Sequence, residues 1–124
     1  MPLSATIENH PREIAVVSLS GRMTLGSSLK IADSQIQAAI EDGVSRMVVD
    51  LTDVEYMDSA GLGMLMVAYG VVNEKKGSLR LCGVAPRVMS LLQMPRTDGL
   101  LPIDGTREES LAVLRGQSSP PAHN

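Results

Sequence analysis

Residues 48–63 read Val48-Val49-Asp50-Leu51-Thr52-Asp53-Val54-Glu55-Tyr56-Met57-Asp58-Ser59-Ala60-Gly61-Leu62-Gly63. Together with Met47, the start of this run is continuously apolar rather than alternating, which is typical of a strand covered on both faces in a parallel sheet. A short connection then leads to Ser59, at the start of an unusually apolar helix. Free backbone N–H groups and the positive end of the helix dipole meet there, so a phosphate on this hydroxyl would be stabilised. The segment suits a phosphorylation switch better than an active site.

Runs with strand and helix periodicity alternate on both sides of this segment. Residues 3–7 and 14–19 are β-rich and are separated by a turn that contains Pro11, so they predict a hairpin, followed by a loop at 21–26. The pattern then predicts a helix capped by Ser27 or Ser28 and ended at Gly43, and a second helix from Ala60 to about Gly77. These are followed by a strand at Ser78–Cys82, a helix between Pro86 and Pro95, and a strand at 100–103. A last helix has Thr106 and Glu109 as its capping box and ends at Gly116.

This alternation predicts an α/β fold in a single domain. We expect residues 1–116 to form a mixed sheet of four to five strands packed with about four helices. The length of 124 residues fits one domain and leaves no room for a second. The segment at 117–124 is expected to be a disordered C-terminal tail.

The composition argues against several kinds of partner and site. A net charge of −3, two Tyr, and no Trp or Phe supply neither the positive surface nor the stacking side chains that nucleic-acid binding needs. Cys82 is the single cysteine, and we expect it to pack as a small buried apolar side chain rather than to bind a metal. No secretory signal or membrane span is visible in the sequence. We expect a soluble, cytoplasmic protein without metal or cofactor, and without direct binding to nucleic acid or membranes.

A serine at a helix start is most often only a cap, worth about 1 kcal/mol. Around Ser59, however, Asp58 and the small residues Ala60, Gly61 and Gly63 would leave the hydroxyl uncovered, as a kinase requires. The two glycines each cost about 1 kcal/mol of helix stability relative to Ala, so close approach of another backbone explains them better. Asp58 is expected either to orient the hydroxyl or a kinase-bound metal, or to favour the helix dipole.

The helix after Ser59 is apolar all round, so both of its sides need cover. Neighbouring helices could cover the side away from the sheet, or a partner could. Near Ser59, we expect Gly63 and Met64 to face a partner. At 100° per residue, the predicted sheet-facing residues are Leu62, Leu65, Met66, Tyr69 and Val72, and the opposite set is Ala60, Met64, Val67 and Val71.

The segment also resembles a known family. Asp58-Ser59-Ala60-Gly61-Leu62-Gly63, preceded by Asp50-Leu51 and Tyr56-Met57, resembles the phosphorylation-site signature of anti-sigma factor antagonists, which are bacterial STAS-domain proteins. Residues 19–23 resemble the end of the family's second strand, and residues 77–88 resemble its fourth strand and third helix. The resemblance covers roughly residues 6–114.

This resemblance implies a partner-switching function. With Ser59 unmodified, the protein would bind a serine-kinase anti-sigma factor and free the sigma factor. Phosphorylation of Ser59 by that kinase would break the complex, and a serine phosphatase would restore it. The residues implied as partner-binding are Thr24, Asp58, Ala60, Gly61, Gly63 and Met64.

The loop at 21–26 departs from the family. Many members carry an acidic residue shortly after the glycine that ends the second strand, whereas this chain has Thr24. If the loop touches the kinase, the partner recognises it differently or the usual kinase is absent. The alternative is that Thr24 only satisfies backbone groups of the loop.

Two other functions compete with this partner switch. Met57-Asp58-Ser59-Ala60-Gly61 superficially resembles the G-x-S-x-G elbow of hydrolases, but Met57 occupies the first glycine position. A triad also needs a histidine base, and the two histidines, His10 and His123, lie in a turn and in the tail. We therefore expect no enzyme and no catalytic residue. A non-enzymatic STAS scaffold in a stress-signalling complex remains the alternative, and the oligomeric state is open.

Overall fold

The computed structural model describes residues 2–11, 13–93 and 101–116. Its five strands form one sheet in the order β1-β2-β3-β4-β5, with β1 antiparallel to β2 and the other neighbours parallel. The predicted α/β fold with a mixed sheet and four helices is confirmed. The elements are β1 (Ser4–His10), β2 (Ile14–Met23), α1 (Ser27–Glu41), β3 (Arg46–Met57), α2 (Ser59–Glu74), β4 (Ser78–Cys82), α3 (Pro86–Leu92), β5 (Ile103–Asp104) and α4 (Arg107–Gly116).

The sheet is buried on both faces at its centre, as the apolar run in β3 predicts. Successive residues of a strand point to opposite faces, so Val49 packs with residues of α1, α2 and α3, whereas Val48 packs with Leu111 and Leu114 of α4. Cys82 belongs to the α4 side and is fully buried, which confirms its predicted place. Burial raises the pKa of its thiol to about 11, as suits a packing residue.

Strands β2 and β3 are longer than the sequence pattern indicates. The predicted loop at 21–26 and the predicted connection before Ser59 are present but shorter, because Met23 and Met57 still pair in the parallel ladder and leave only residues 24–26 and Asp58 as connections. Between Asp50 and Met57, β3 carries two more residues than the facing part of β2, in two register shifts. Because of these bulges, the buried residues Leu51, Val54 and Met57 are three positions apart. A regular strand alternates every two residues, so this spacing did not predict a strand from the sequence.

The start of α1 also differs from prediction. The N–H of Lys30 donates to the carbonyl oxygen of Gly26 at 3.2 Å, so the helix begins at Ser27 and its cap lies before both predicted caps. Gly26 is the N-cap residue and makes no side-chain cap bond, which means that the predicted cap at Ser27 or Ser28 is wrong.

The C-terminal elements agree with prediction in kind and differ in their limits. The last strand is Ile103–Asp104 rather than 100–103. The capping box of α4 is confirmed: the N–H of Glu109 donates to Oγ1 of Thr106 at 3.1 Å, and the N–H of Thr106 donates to Oε1 of Glu109 at 3.1 Å. Leu100, the predicted stop at Pro95 and the predicted tail at 117–124 lie outside the described residues.

Charged hydrogen bonds attach α4 and β5 to the rest of the sheet. Arg107 donates from Nε to Oδ2 of Asp50 at 3.0 Å and from Nη2 to Oγ of Ser18 at 2.7 Å. Arg80 donates from Nε to Oδ2 of Asp104 at 2.6 Å. Burial raises the pKa of Asp50, but hydrogen bonds from Thr52 and Arg107 lower it overall, so this carboxylate stays charged in its network.

Candidate functional site

Asp58 is the single residue between β3 and α2, and it caps the helix. Its backbone is extended, and its Oδ1 accepts the N–H groups of Ala60 at 2.9 Å and Gly61 at 3.0 Å. A carboxylate in this position satisfies two backbone donors that the first helical turn leaves free. Of the two predicted roles for Asp58, these contacts favour support of the helix start.

Ser59 is the first residue of α2, one position earlier than the predicted helix start at Ala60. Its side chain is exposed, and within the described part of the chain its hydroxyl has no hydrogen-bond partner. Because Asp58 supplies the cap, the commonest explanation for a serine at a helix start does not apply. The hydroxyl is accessible to a modifying enzyme.

The two glycines of the first helical turns have different surroundings. A Cβ on Gly61 would lie 2.5 Å from the carbonyl oxygen of Met23 and 2.9 Å from Cγ of Met57, so the predicted close approach of another backbone is confirmed there. A Cβ on Gly63 would meet nothing within 4 Å, and the same explanation is wrong for that residue within the described structure. Gly61 thus fixes α2 against the sheet, while Gly63 leaves the outer surface flat.

The outer face of α2 is uncharged over most of its length. Glu74 is the first charged residue after Ser59, and Val67 is 57% exposed on this face. Met64 is only 7% exposed because α1 packs beside α2, so it offers a partner less surface than predicted, and its contact with a partner stays a prediction. The predicted sheet-facing residues Met66 and Tyr69 are only partly buried. The buried residues of α2 are Gly61, Leu62, Met64, Leu65, Ala68 and Val72.

A shallow groove runs between α1 and α2 beside Ser59; we call it the α1–α2 groove. Its cavity volume is about 250 Å³. Leu25, in the loop before α1, is 78% exposed and was not among the predicted site residues, because nothing in its local sequence distinguishes it from an ordinary loop residue. The groove is lined by Leu25, Leu29, Lys30, Asp33, Ala60, Gly63, Met64 and Val67.

The Asp58 carboxylate also holds the loop that precedes α1. Its Oδ2 accepts the N–H of Leu25 at 3.0 Å. Hydrogen bonds from the N–H groups of Leu25, Gly61 and Ala60 keep the pKa of Asp58 below its usual value, although partial desolvation opposes them. The half-buried Thr24 is the neighbour of Leu25 in this loop. The hydrogen bond between Leu25 and Asp58 therefore brings two predicted site residues, Thr24 and Asp58, into the same corner of the fold.

No group of three or more His, Cys, Asp or Glu side chains in residues 2–11, 13–93 and 101–116 could hold a metal ion. In the same ranges, no helix has the length and apolar character needed to cross a membrane.

Comparisons with known proteins place the chain in a family. A family model described as "Mlab, STAS domain" matches residues 8–102. The chain is 30% identical over 114 residues to an anti-sigma F factor antagonist of Paenibacillus polymyxa, covering 92% of this chain and 97% of the relative.

Two solved structures share the fold. The structure of the anti-sigma factor antagonist SpoIIAA in its unphosphorylated form has a TM-score of 0.78 at 21% identity, covering 94% of this chain and 100% of that one. The structure of the Bacillus cell fate determinant SpoIIAA in the phosphorylated form has a TM-score of 0.73 at 20% identity, covering 90% of this chain and 100% of that one.

Proposed function

The chain belongs to the STAS-domain family of anti-sigma factor antagonists, and from this membership we propose that it acts as a phosphorylation-controlled partner switch. In the unmodified form, it binds a serine-kinase anti-sigma factor and releases the sigma factor. The kinase phosphorylates Ser59 and thereby ends the complex, and a serine phosphatase restores the binding form. The protein is a substrate and binding partner in this scheme and carries no catalytic residue of its own.

The observation that carries the proposal is the free hydroxyl of Ser59 at the start of α2. It is exposed and has no hydrogen-bond partner in the described structure, because Asp58 already caps the helix. Such a hydroxyl is available to a kinase without local unfolding. The helix start can also hold a phosphate near its free N–H group, although the neighbouring Asp58 carboxylate opposes the added charge.

The surface around Ser59 supports release of the partner by charge. Phosphorylation adds about −1.5 to −2 charges at the edge of a face that is otherwise uncharged. A partner that covers the α1–α2 groove would have to desolvate that charge, and α2 offers it no counter-ion, because Lys30, the cation of the groove lining, lies across the groove on α1. We therefore propose that Thr24, Asp58, Ala60, Gly61 and Gly63 contribute to the binding surface mainly through backbone shape, and that Met64 forms the floor of the groove.

The test is incubation of the purified protein with the serine-kinase anti-sigma factor and ATP, followed by mass spectrometry. We expect one phosphate, located on Ser59, and none on the Ser59→Ala variant. Ser27→Ala is the matched control, because Ser27 is likewise the exposed first residue of a helix. Stable binding without any modification would instead favour the scaffold alternative and would overturn the switch.

Gly63→Ala should separate binding from folding. The added methyl group meets nothing within 4 Å among the described residues, so the free energy of unfolding should rise by up to about 1 kcal/mol from the better helix propensity of Ala. The same methyl group lies on the proposed docking face and should weaken kinase binding several-fold. Urea unfolding and isothermal titration calorimetry measure the two effects.

Gly70→Ala is the control for this prediction. Gly70 is also in α2, is exposed, and has nothing within 4 Å of a Cβ. It should gain the same stability and bind the kinase as the wild type does. If both variants bind equally well, the first turns of α2 are not the docking surface.

A further inference from the structure

We infer that Leu25 is an apolar anchor for the kinase partner and that Asp58 is the residue that positions it. This inference rests on the proposed function and deepens it, since it names a contact on a different element from Ser59. The juxtaposition that carries it is the hydrogen bond from the N–H of Leu25 to Oδ2 of Asp58, at 3.0 Å.

Leu25 is unusual among the apolar side chains of this protein. It is 78% exposed, more than any other large apolar residue in the described structure. An exposed leucine is common by itself, but this one lines the same groove as Ala60, Gly63 and Val67, next to Ser59. A partner that contacts Ser59 and covers this groove also buries Leu25. The matching chemistry on the partner is an apolar pocket beside the kinase's phosphate-transfer site.

Asp58 gives the loop a defined position. The loop residue Leu25 is separated from Asp58 by 33 positions in the chain, and α1 begins only after Gly26, which makes no side-chain cap bond. One carboxylate oxygen serves the helix through Ala60 and Gly61, and the other serves the loop. A loop held in this way presents its apolar side chain with less loss of conformational entropy on binding.

Asp58→Asn divides the two tasks of this side chain. Asparagine has one acceptor oxygen and one NH₂ donor, so it can cap the helix but cannot accept the Leu25 N–H at the same time. Asparagine is also a good N-cap residue, which protects the fold of the variant. We expect the amide hydrogen of Leu25 to exchange with solvent faster in this variant, while the amides of residues 62–74 keep their protection.

The binding test is a double-mutant cycle with the purified serine-kinase anti-sigma factor. Leu25→Ala should weaken binding about tenfold, in the range of a hot-spot side chain. Asp58→Asn should weaken it about fivefold, and the double variant should be no weaker than Leu25→Ala alone, because Asp58 acts through Leu25. Ile31→Ala is the control: Ile31 is 61% exposed on α1 and is absent from the groove lining, so its truncation should leave affinity unchanged.

The outcomes separate this inference from the proposed function. If Leu25→Ala binds within twofold of the wild type, or if the effects of the two substitutions add, the inference is overturned while loss of binding on Ser59 phosphorylation still supports the switch. If the unmodified wild type does not bind the kinase, both fall together. A faster-exchanging Leu25 amide with unchanged affinity would also reject the positioning role.

Discussion

Ser59→Asp is expected to lose the kinase partner that the wild type and Ser59→Ala retain, with an affinity lower by a factor on the order of 100. The reason is charge on a surface that must be desolvated. Between Ser59 and Glu74 the outer face of α2 has no charged residue, so a carboxylate at position 59 has no counter-ion on that face. Recovery of the partner from a lysate of the native organism, followed by titration with the purified kinase, measures the loss.

Ser34→Asp is the matched control for this prediction, because Ser34 is an exposed serine in α1 and lies outside the groove lining. It adds the same charge to the protein and should bind the kinase normally. Equal recovery of the partner by Ser59→Ala and Ser59→Asp would contradict the proposed switch.

The same variant also tests how the charge acts. We expect amide NMR shifts in Ser59→Asp to be confined to residues 58–66 and, through the Leu25–Asp58 bond, to residues 24–26. The helix start can hold a negative charge without refolding, and Gly61 keeps that start in close contact with Met23. Shifts spread over the whole domain would reject the local mechanism in favour of a conformational change.

Gly61→Ala is expected to destabilise the fold by about 2 kcal/mol, although alanine favours helices over glycine. The new Cβ would lie 2.5 Å from the carbonyl oxygen of Met23, which is backbone and cannot rotate away. That carbonyl oxygen also accepts the N–H of Asp58 at 3.1 Å, so moving α2 outward would lengthen a second contact. Urea unfolding measures the change as a lower midpoint at constant m-value.

Gly70→Ala gives the comparison for this prediction as well. The substitution is chemically identical and lies in the same helix, but its Cβ meets open space. The two variants should therefore shift stability in opposite directions. A Gly61→Ala protein as stable as Gly70→Ala would mean that the start of α2 does not lie tightly against β2, and the exposure of Ser59 would then need another explanation.

Three residues at the start of α2 have different structural roles. Gly61 sets the distance between α2 and the sheet, and Asp58 caps α2 and holds the loop before α1. The hydroxyl of Ser59 is left without a hydrogen-bond partner among the described residues. Each of these roles depends on the others, because a helix farther from the sheet would place Asp58 away from Leu25. The proposed modification site is therefore a property of three elements, β2, β3 and α2, together with the loop before α1.

Local features of the chain were predictable from sequence. The apolar run Met47-Val48-Val49, with Leu51, predicted a strand buried on both faces, and the pair Thr106 and Glu109 predicted a capping box; both are present. The position of Ser59 at a helix start and the mixed sheet were predictable in the same way. These features depend on hydrogen bonds and periodicities within a few residues, which local sequence encodes directly.

Contacts between distant parts of the chain determined features that the sequence periodicity did not predict. Two bulges extend β3 to Met57, the packing of α1 buries Met64, and the Asp58 carboxylate reaches Leu25 across 33 positions. Sequence alone also could not separate Gly61, which contacts another backbone, from Gly63, which faces open space. The physical reason is that helical periodicity predicts which residues share a face of a helix. Which other segment packs on that face depends on contacts between residues far apart in the sequence.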